Sequence, residues 1–349
     1  MTDRAVLQEC VNEYRNRGIH FDEVKALFAS ENLEQPKQWR SVPNIIAHLS
    51  EEKIKDVVQK AKSYLENQKK FNDKLIVVYK DLPAEQLNKI ESALSEIYEN
   101  DSSLEFAYTV DAIETVRMAE NIEDMLTFFK FKKTRSVFLK EDIDFESLNE
   151  EAKAEFLEFD KLVGIKAKNI VCYDSLVIDK QKNNLIIQLD LVGLLRSSDL
   201  DKNLDLFQIM INKVIADKYG NAYILDRKTN VVNLYGCIKN FYDNVEGFVT
   251  KLSFTTSKGV HHETLKGAAT DIRTADYHLG GKAKEGVIHP YRITKKFDMD
   301  SRNKPQAFLG VRYQYYAKAG SKFLANARIF DIYNYQSYLF IIKKLIENI

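Results

Sequence analysis

The sequence predicts an α+β protein: a helical N-terminal region with a β-α-β element, then a β-rich C-terminal half with a mixed or antiparallel sheet. Three observations carry that expectation. Apolar residues recur at helical spacing up to about residue 70. At Lys74 the pattern switches to a continuous apolar run. From residue 168, strand-length runs rich in Val, Ile, Tyr and Phe alternate with polar turns.

The first helix spans Ala5 to Tyr14, with Leu7, Cys10, Val11 and Tyr14 on one face and Gly18 as its stop. Phe21 to Ala29 follows, with Val24, Leu27 and Phe28 inward. Pro36 and Pro43 bracket an irregular connection around Trp39. Ser50 suits an N-cap, and Glu51 and Glu52 suit the positive end of a helix dipole. Ile54, Val57, Val58, Ala61, Tyr64 and Leu65 then form one stripe. Leu75 to Tyr79 reads as a strand buried on both faces. Pro83 opens a helix lined by Leu87, Ile90, Leu94 and Ile97. Leu104 to Val110 alternates as a strand, so residues 74–110 read as β-α-β, with room for parallel pairing. Residues 112–165 are acidic and read as mostly helical, with one strand at Ser136 to Leu139.

Ile170 to Ile178 and Leu185 to Val192 flank a polar turn and read as a hairpin. A helix from about Asp201 to Tyr219 turns Leu204, Phe207, Met210, Ile211 and Val214 inward, and Gly220 ends it. Tyr223 to Leu225 and Val231 to Leu234 read as a small hairpin. Val245 to Thr256, Tyr291 to Phe297, Ala307 to Tyr316 and Phe323 to Ile329 read as strands. The greasy tail, Tyr338 to Ile342, reads as a docked helix. The one composition shift lies between Leu162 and Lys168. It divides the chain into a mainly helical, acidic region, residues 1–165, and a β-rich, basic region, residues 166–349.

Lys and Arg number 51 and Asp and Glu number 51, but this neutrality hides a split. Between Thr250 and Arg328, 15 basic residues stand against 6 acidic ones, and the preceding residues carry the compensating acid. Such asymmetry points to a polyanionic partner. Cys10, Cys172 and Cys237 are odd in number, far apart and without CxxC spacing. They make neither a disulfide framework nor a thiolate zinc site, and suit the cytoplasm. No apolar run reaches the roughly 18 residues of a membrane span, and the chain starts on an amphipathic segment. Phosphate-loop, dinucleotide, kinase, GxSxG and HExxH signatures are all missing, and no cofactor is implied.

Three constellations remain. Four of the 6 histidines fall between Ser257 and Arg292, among Asp271, Arg273, Asp276, Gly280, Gly281, Lys282 and Lys284. This segment suits a phosphate cradle, with the glycine amides exposed beside the lysines, or a His/Asp metal or acid–base site. A solvated hairpin is the plainer alternative. The second is a run of bases interleaved with aromatics: Lys295, Lys296, Arg302, Lys304, Arg312, Lys318, Lys322 and Arg328 among Tyr291, Phe297, Phe308, Tyr313, Tyr315, Tyr316 and Phe323. Cations track a phosphate backbone and aromatic faces stack on bases. Strand alternation sets Leu309, Val311, Tyr313 and Tyr315 on a core face and Phe308, Arg312, Gln314 and Tyr316 on a stacking face. The third is a carboxylate set, Asp174, Asp179 and Asp190 with Gln188. It lacks the lysine that a metal-dependent nuclease places two residues on.

The leading expectation is a nucleic-acid-binding component of a larger intracellular assembly. Its contacts would be Arg273, Lys282, Lys284, Arg292, Lys295, Lys296, Arg312, Lys318 and Lys322, with Phe308 and Tyr316 as stacking rings. The alternatives are a metal-dependent nuclease or phosphohydrolase, and a protein-interaction subunit forming a homo-oligomer. The Lys-, Asn- and Ile-rich composition also suits an accessory gene of an AT-rich prokaryote, such as a phage-defence component.

Overall fold

The computed structural model describes residues 2–100, 104–118, 121–192, 197–226, 228–267, 270–300 and 303–349. Four helices open the chain: α1 (Asp3–Asn16), α2 (Phe21–Ala29), α3 (Val42–His48) and α4 (Glu51–Phe71). Their apolar stripes close on one another. Leu7, Val11 and Tyr14 of α1, Val24 and Phe28 of α2, Val42 and Ile46 of α3, and Ile54, Val57 and Ala61 of α4 form one buried cluster. The Tyr14 hydroxyl donates to the Ala61 carbonyl at 2.9 Å, so its buried oxygen is satisfied. The connection expected to be irregular around Trp39 instead carries α3, entered through a 3₁₀ turn at Trp39–Ser41. Pro43 sits in the first turn of α3, where a missing N–H breaks no bond.

Ten strands form one sheet: β1 (Lys74–Tyr79), β2 (Thr109–Met118), β3 (Asn121–Ile143), β4 (Leu162–Asp179), β5 (Asn184–Asp190), β6 (Phe248–Thr256), β7 (Gly259–Thr264), β8 (His289–Lys296), β9 (Gln306–Gly310) and β10 (Asn326–Phe330). The spatial order is β2-β3-β4-β5-β1-β10-β9-β8-β6-β7. Every one of these pairings is antiparallel. The remaining helices are α5 (Ala84–Glu99), α6 (Glu150–Glu155), α7 (Ser197–Tyr219), α8 (Tyr235–Asp243), α9 (Asp276–Glu285), α10 (Tyr313–Tyr316) and α11 (Tyr335–Glu347).

All six residues of β1 are buried, because both faces of the sheet are covered there. Val77 and Tyr79 meet Leu87 and Ile90 of α5 and Phe207 and Ile211 of α7. Ile76 and Val78 point the other way, to a core with Phe241 of α8 and Tyr338 and Ile341 of α11. Each such buried side chain contributes about 1.5–3 kcal/mol by removal from water. The second core continues under β10, β9, β8 and β6 through Ala327, Leu309, Ile293 and Leu252. The α5/α7 core does not. Among the described residues it contains no member of β10, β9, β8, β6 or β7. On that half of the face the α5/α7 helices do not pack, and among the described residues α10 reaches it where Tyr316 meets Thr255 of β6.

Several expectations are corrected. The stretch 112–165 is not mostly helical. It supplies β2, β3 and the start of β4, and among its described residues only α6 and a 3₁₀ turn at Phe145–Ser147 are helical. Charged residues on both faces of β3 hid its period. The proposed boundary at 165/166 falls inside β4. The strand expected from Leu104 begins at Thr109, because the Leu104 amide closes a turn onto the Tyr108 carbonyl at 3.0 Å. Residues 74–110 do not pair in parallel, since β5, β4 and β3 lie between β1 and β2. Instead of a hairpin at residues 223–234 there is a 3₁₀ turn at Asn221–Tyr223 and a lone bridge from Val231 to Tyr79. The strand expected through Tyr316 ends at Gly310, and Tyr313–Tyr316 is helical. Helices α8 and α9 were not anticipated. Cys10, Cys172 and Cys237 are free and buried, and among the described residues no helix is long and apolar enough to cross a membrane.

Candidate nucleic-acid interface

The half-face outside the α5/α7 core is built by strand register. Residues paired directly across an antiparallel sheet share a face. Arg328 pairs with Phe308, Phe308 with Thr294, Thr294 with Lys251, and Lys251 with Thr264. A second row runs from Gly310 through Arg292 and Ser253 to His262. Two rows thus cross the edge of the sheet, carrying Arg328, Arg292 and Lys251 around the Phe308 ring.

Arg292 and Arg328 are half-buried. The Arg328 guanidinium lies over Phe308, 5.7 Å from the ring centroid. The Arg292 Nε donates to the Val311 carbonyl at 2.9 Å, which fixes its stem along β9. Gly310 permits this approach, since a Cβ there would sit 2.5 Å from the Arg292 Cγ. Among the described residues, neither arginine has a carboxylate within ion-pair distance. Burial, and then the charge of Arg292, lower the Arg328 pKa, with Asp201 offsetting only part of this. Two like charges are held near one another and offset only in part by Asp201.

Of the expected contacts, Arg292, Lys296 and Phe308 lie on this face. Arg273 does not act as a free cation. It binds Asp271 at 2.6 Å and donates to the carbonyls of Asn244, Val245 and Gly247, so it clamps the turn after α8. Lys295 is buried, donating to Phe241 and Asn244 carbonyls at 2.8 and 2.7 Å. Its removal from water, with the Arg273 charge, pushes its pKa down to about 8. Lys296 is buried beside the Phe248 ring. Tyr316 is no stacking platform, because its ring already stacks on Tyr291 at 5.1 Å and its hydroxyl meets Thr255 Oγ1. Arg312, Lys318 and Lys322 lie at and beyond α10, where Lys322 covers the Tyr315 ring. Lys304 pairs with Asp298 at 3.2 Å. Arg302 lies outside the described residues. Lys282 and Lys284 lie on α9, against the opposite face. Sequence reasoning left Lys251 and Arg328 out of the contact set. Strand pairing, which no single stretch of sequence shows, is the signal that gathers them.

The carboxylate set belongs to the fold. Asp174 takes a two-pronged bond from Arg135 at 2.8 and 2.6 Å, a bond from the Tyr108 hydroxyl at 2.7 Å, and one from the Asp190 amide at 2.8 Å. Asp190 pairs with Arg17 at 2.7 Å and Lys74 at 3.5 Å. Both aspartates are fully buried. Burial alone would raise the Asp190 carboxyl; the charges of Arg17, Lys74 and Arg135 overcome it and hold it well below the usual carboxylate range. The Gln188 Nε2 donates to the Tyr338 hydroxyl. Asp179 closes its hairpin by accepting from the Lys182 amide at 3.0 Å. No described group of three or more His, Cys, Asp or Glu side chains could hold a metal ion.

The histidine segment splits across β7. His262 faces the basic rows, and its Nδ1 meets Ser253 Oγ at 2.9 Å. His261 faces the other side, stacked on Phe254 at 5.0 Å. His278 on α9 is buried between Glu263, 2.8 Å from Nδ1, and the Tyr242 hydroxyl, 2.9 Å from Nε2. Gly280 and Gly281 sit inside α9, so their amides are committed to the helix and form no loop cradle. No protein-family model and no curated protein sequence matches the chain.

Proposed function

We propose that this protein binds nucleic acid through the half-face formed by β10, β9, β8, β6 and β7. One observation carries the reading: among the described residues, Arg292 and Arg328 have no carboxylate at ion-pair distance, and they sit beside an aromatic ring on the half of the sheet face that lies outside the α5/α7 core. A fold gains nothing from holding two unpaired cations half-buried; a phosphate backbone supplies the missing charge. Phe308 offers an apolar ring on which a base can stack once Arg328 swings to a phosphate. The three buried free thiols suit a reducing, intracellular setting. In this proposal the chain contributes a binding surface to an assembly rather than a reaction.

An electrophoretic shift series with single- and double-stranded DNA and RNA tests this. Wild type should bind at low salt, and the double substitution Arg292→Ala/Arg328→Ala should abolish the shift while leaving the melting temperature near that of wild type. Binding that survives this double variant would move the interface elsewhere.

A further inference from the structure

We propose that the cavity between α9 and the β6–β7 hairpin is a separate site for a small phosphomonoester. The cavity has a volume of about 420 Å³, within the range of small-molecule sites. Its floor includes Gly280 and Gly281, in the middle of α9. A Cβ added at either position would meet nothing within 4 Å. Neither glycine is therefore demanded by packing. Each weakens the helix by roughly 1 kcal/mol relative to alanine, and the pair leaves that part of the cavity lining bare of side chains.

Two cations flank the bare turn, and Asp276 and Glu285 of the same helix also line the cavity, Glu285 paired with Lys258 at 2.8 Å. Lys282 spends one donor on the Tyr242 hydroxyl at 3.2 Å. Neither it nor Lys284 has a carboxylate at ion-pair distance among the described residues. Helical side chains lean toward the N-terminus, which carries Lys284 over the positions three and four residues before it, Gly281 and Gly280. An ammonium above an exposed backbone turn, with a second ammonium one residue from that turn, suits a phosphate group as a point-charge ligand. The opposite wall holds Glu263, whose Oε2 orients His278 at 2.8 Å, and leaves Oε1 to accept from a hydroxyl or amine at the ligand's other end. The chain Glu263–His278–Tyr242–Lys282 fixes the Lys282 ammonium in place. Alternation along β7 separates this site from the basic half-face, because His261 and Glu263 face the cavity and His262 faces away.

Calorimetric titration and thermal melts with inorganic phosphate, AMP, glucose 6-phosphate and unphosphorylated adenosine test the site. At least one phosphorylated probe should bind and raise the melting temperature, and adenosine should not. The comparison of AMP with glucose 6-phosphate tells a nucleotide source from a sugar phosphate. Lys282→Ala/Lys284→Ala should weaken the bound probe about tenfold or more, the scale of a lost charged hydrogen bond. Gly281→Leu should abolish binding while melting no lower than wild type, because leucine favours the helix and meets open space. Arg292→Ala/Arg328→Ala should leave probe binding unchanged, so that loss of the nucleic-acid reading does not decide this one. The proposal falls if no phosphorylated probe binds at millimolar concentration. It falls equally if adenosine binds as well as AMP, or if Gly281→Leu binds like wild type.

Discussion

Two pairs of arginines that lie within the sheet or against it stand in opposite circumstances. Arg17 and Arg135 are buried and fully engaged, each on an aspartate with no exposed surface. Arg292 and Arg328 are half-buried and have each other for company. Taking an ion out of water costs several kcal/mol unless a partner and hydrogen bonds replace the solvent. The first pair meets that requirement inside the molecule. The second does not, and under the proposed function a phosphate backbone would complete it. The difference teaches that counting basic residues says little, and that their internal partners say which belong to the fold.

The largest effect should come from breaking the engaged pair. Asp174→Ala leaves Arg135 and the Tyr108 hydroxyl buried without their acceptor. Removing one partner of a buried pair costs about 3–5 kcal/mol, and urea unfolding should show a loss of that order. A loss below about 1 kcal/mol would place the aspartate outside the load of the fold and reopen it as a functional carboxylate.

Acid should act on the same network. The Asp190 carboxyl is held below its ordinary value in the folded protein. Its contribution to stability is therefore complete above the unfolded value of about 3.9 and is lost as pH falls below it. A fall in melting temperature below about pH 4 that is shallower in Asp190→Asn, itself less stable at neutral pH, would confirm the linkage. An identical acid slope in both proteins would assign the fall to other carboxylates.

How much of this was readable beforehand depends on where a residue's partner lies. Leu7, Val11 and Tyr14 face neighbours within the same helical stripe and its close successors, so the front helices are legible from spacing alone. Lys130 and Arg135 defeated the pattern on β3, because charges that look solvated are neutralised there by Asp111 and Asp174. The same blindness made Asp174 and Asp190 resemble metal ligands and made Arg273 and Lys295 resemble phosphate contacts. Each is satisfied by an atom on another element. Phe308 was placed on the right face by alternation, whereas Tyr316 was not, because the strand stops at Gly310. Arg328 joins Phe308 only through pairing of β10 with β9, which no local period contains.

The open pair should respond to salt rather than to denaturant. Three cations, Arg292, Arg328 and Lys251, would give a slope of about −2 to −3 in log K against log salt. Removing either arginine should lower the magnitude by about one. Phe308→Ala should weaken single-strand binding by about 1–3 kcal/mol and leave the slope alone. A change in slope with Phe308→Ala, measured by anisotropy across a salt series, would mean that the ring positions Arg328 and contributes no stack.

The smallest expected effect separates the two pairs most cleanly. Arg328→Gln keeps the length of the stem over Phe308 and removes only the charge. In the folded protein that charge is disfavoured by burial and by Arg292. Its removal should therefore be neutral or stabilising, within about 0.5 kcal/mol. Arg135→Gln, the same chemical change on the other pair, should cost several times more, because Asp174 would be left buried beside a neutral amide. Screening supplies an internal control. Added salt should stabilise wild type slightly by weakening the Arg292–Arg328 repulsion, and that increment should vanish in Arg328→Gln. If Arg328→Gln instead unfolds as readily as Arg135→Gln, then Arg328 is as much a part of the fold as Arg135, and the division between engaged and open arginines does not hold.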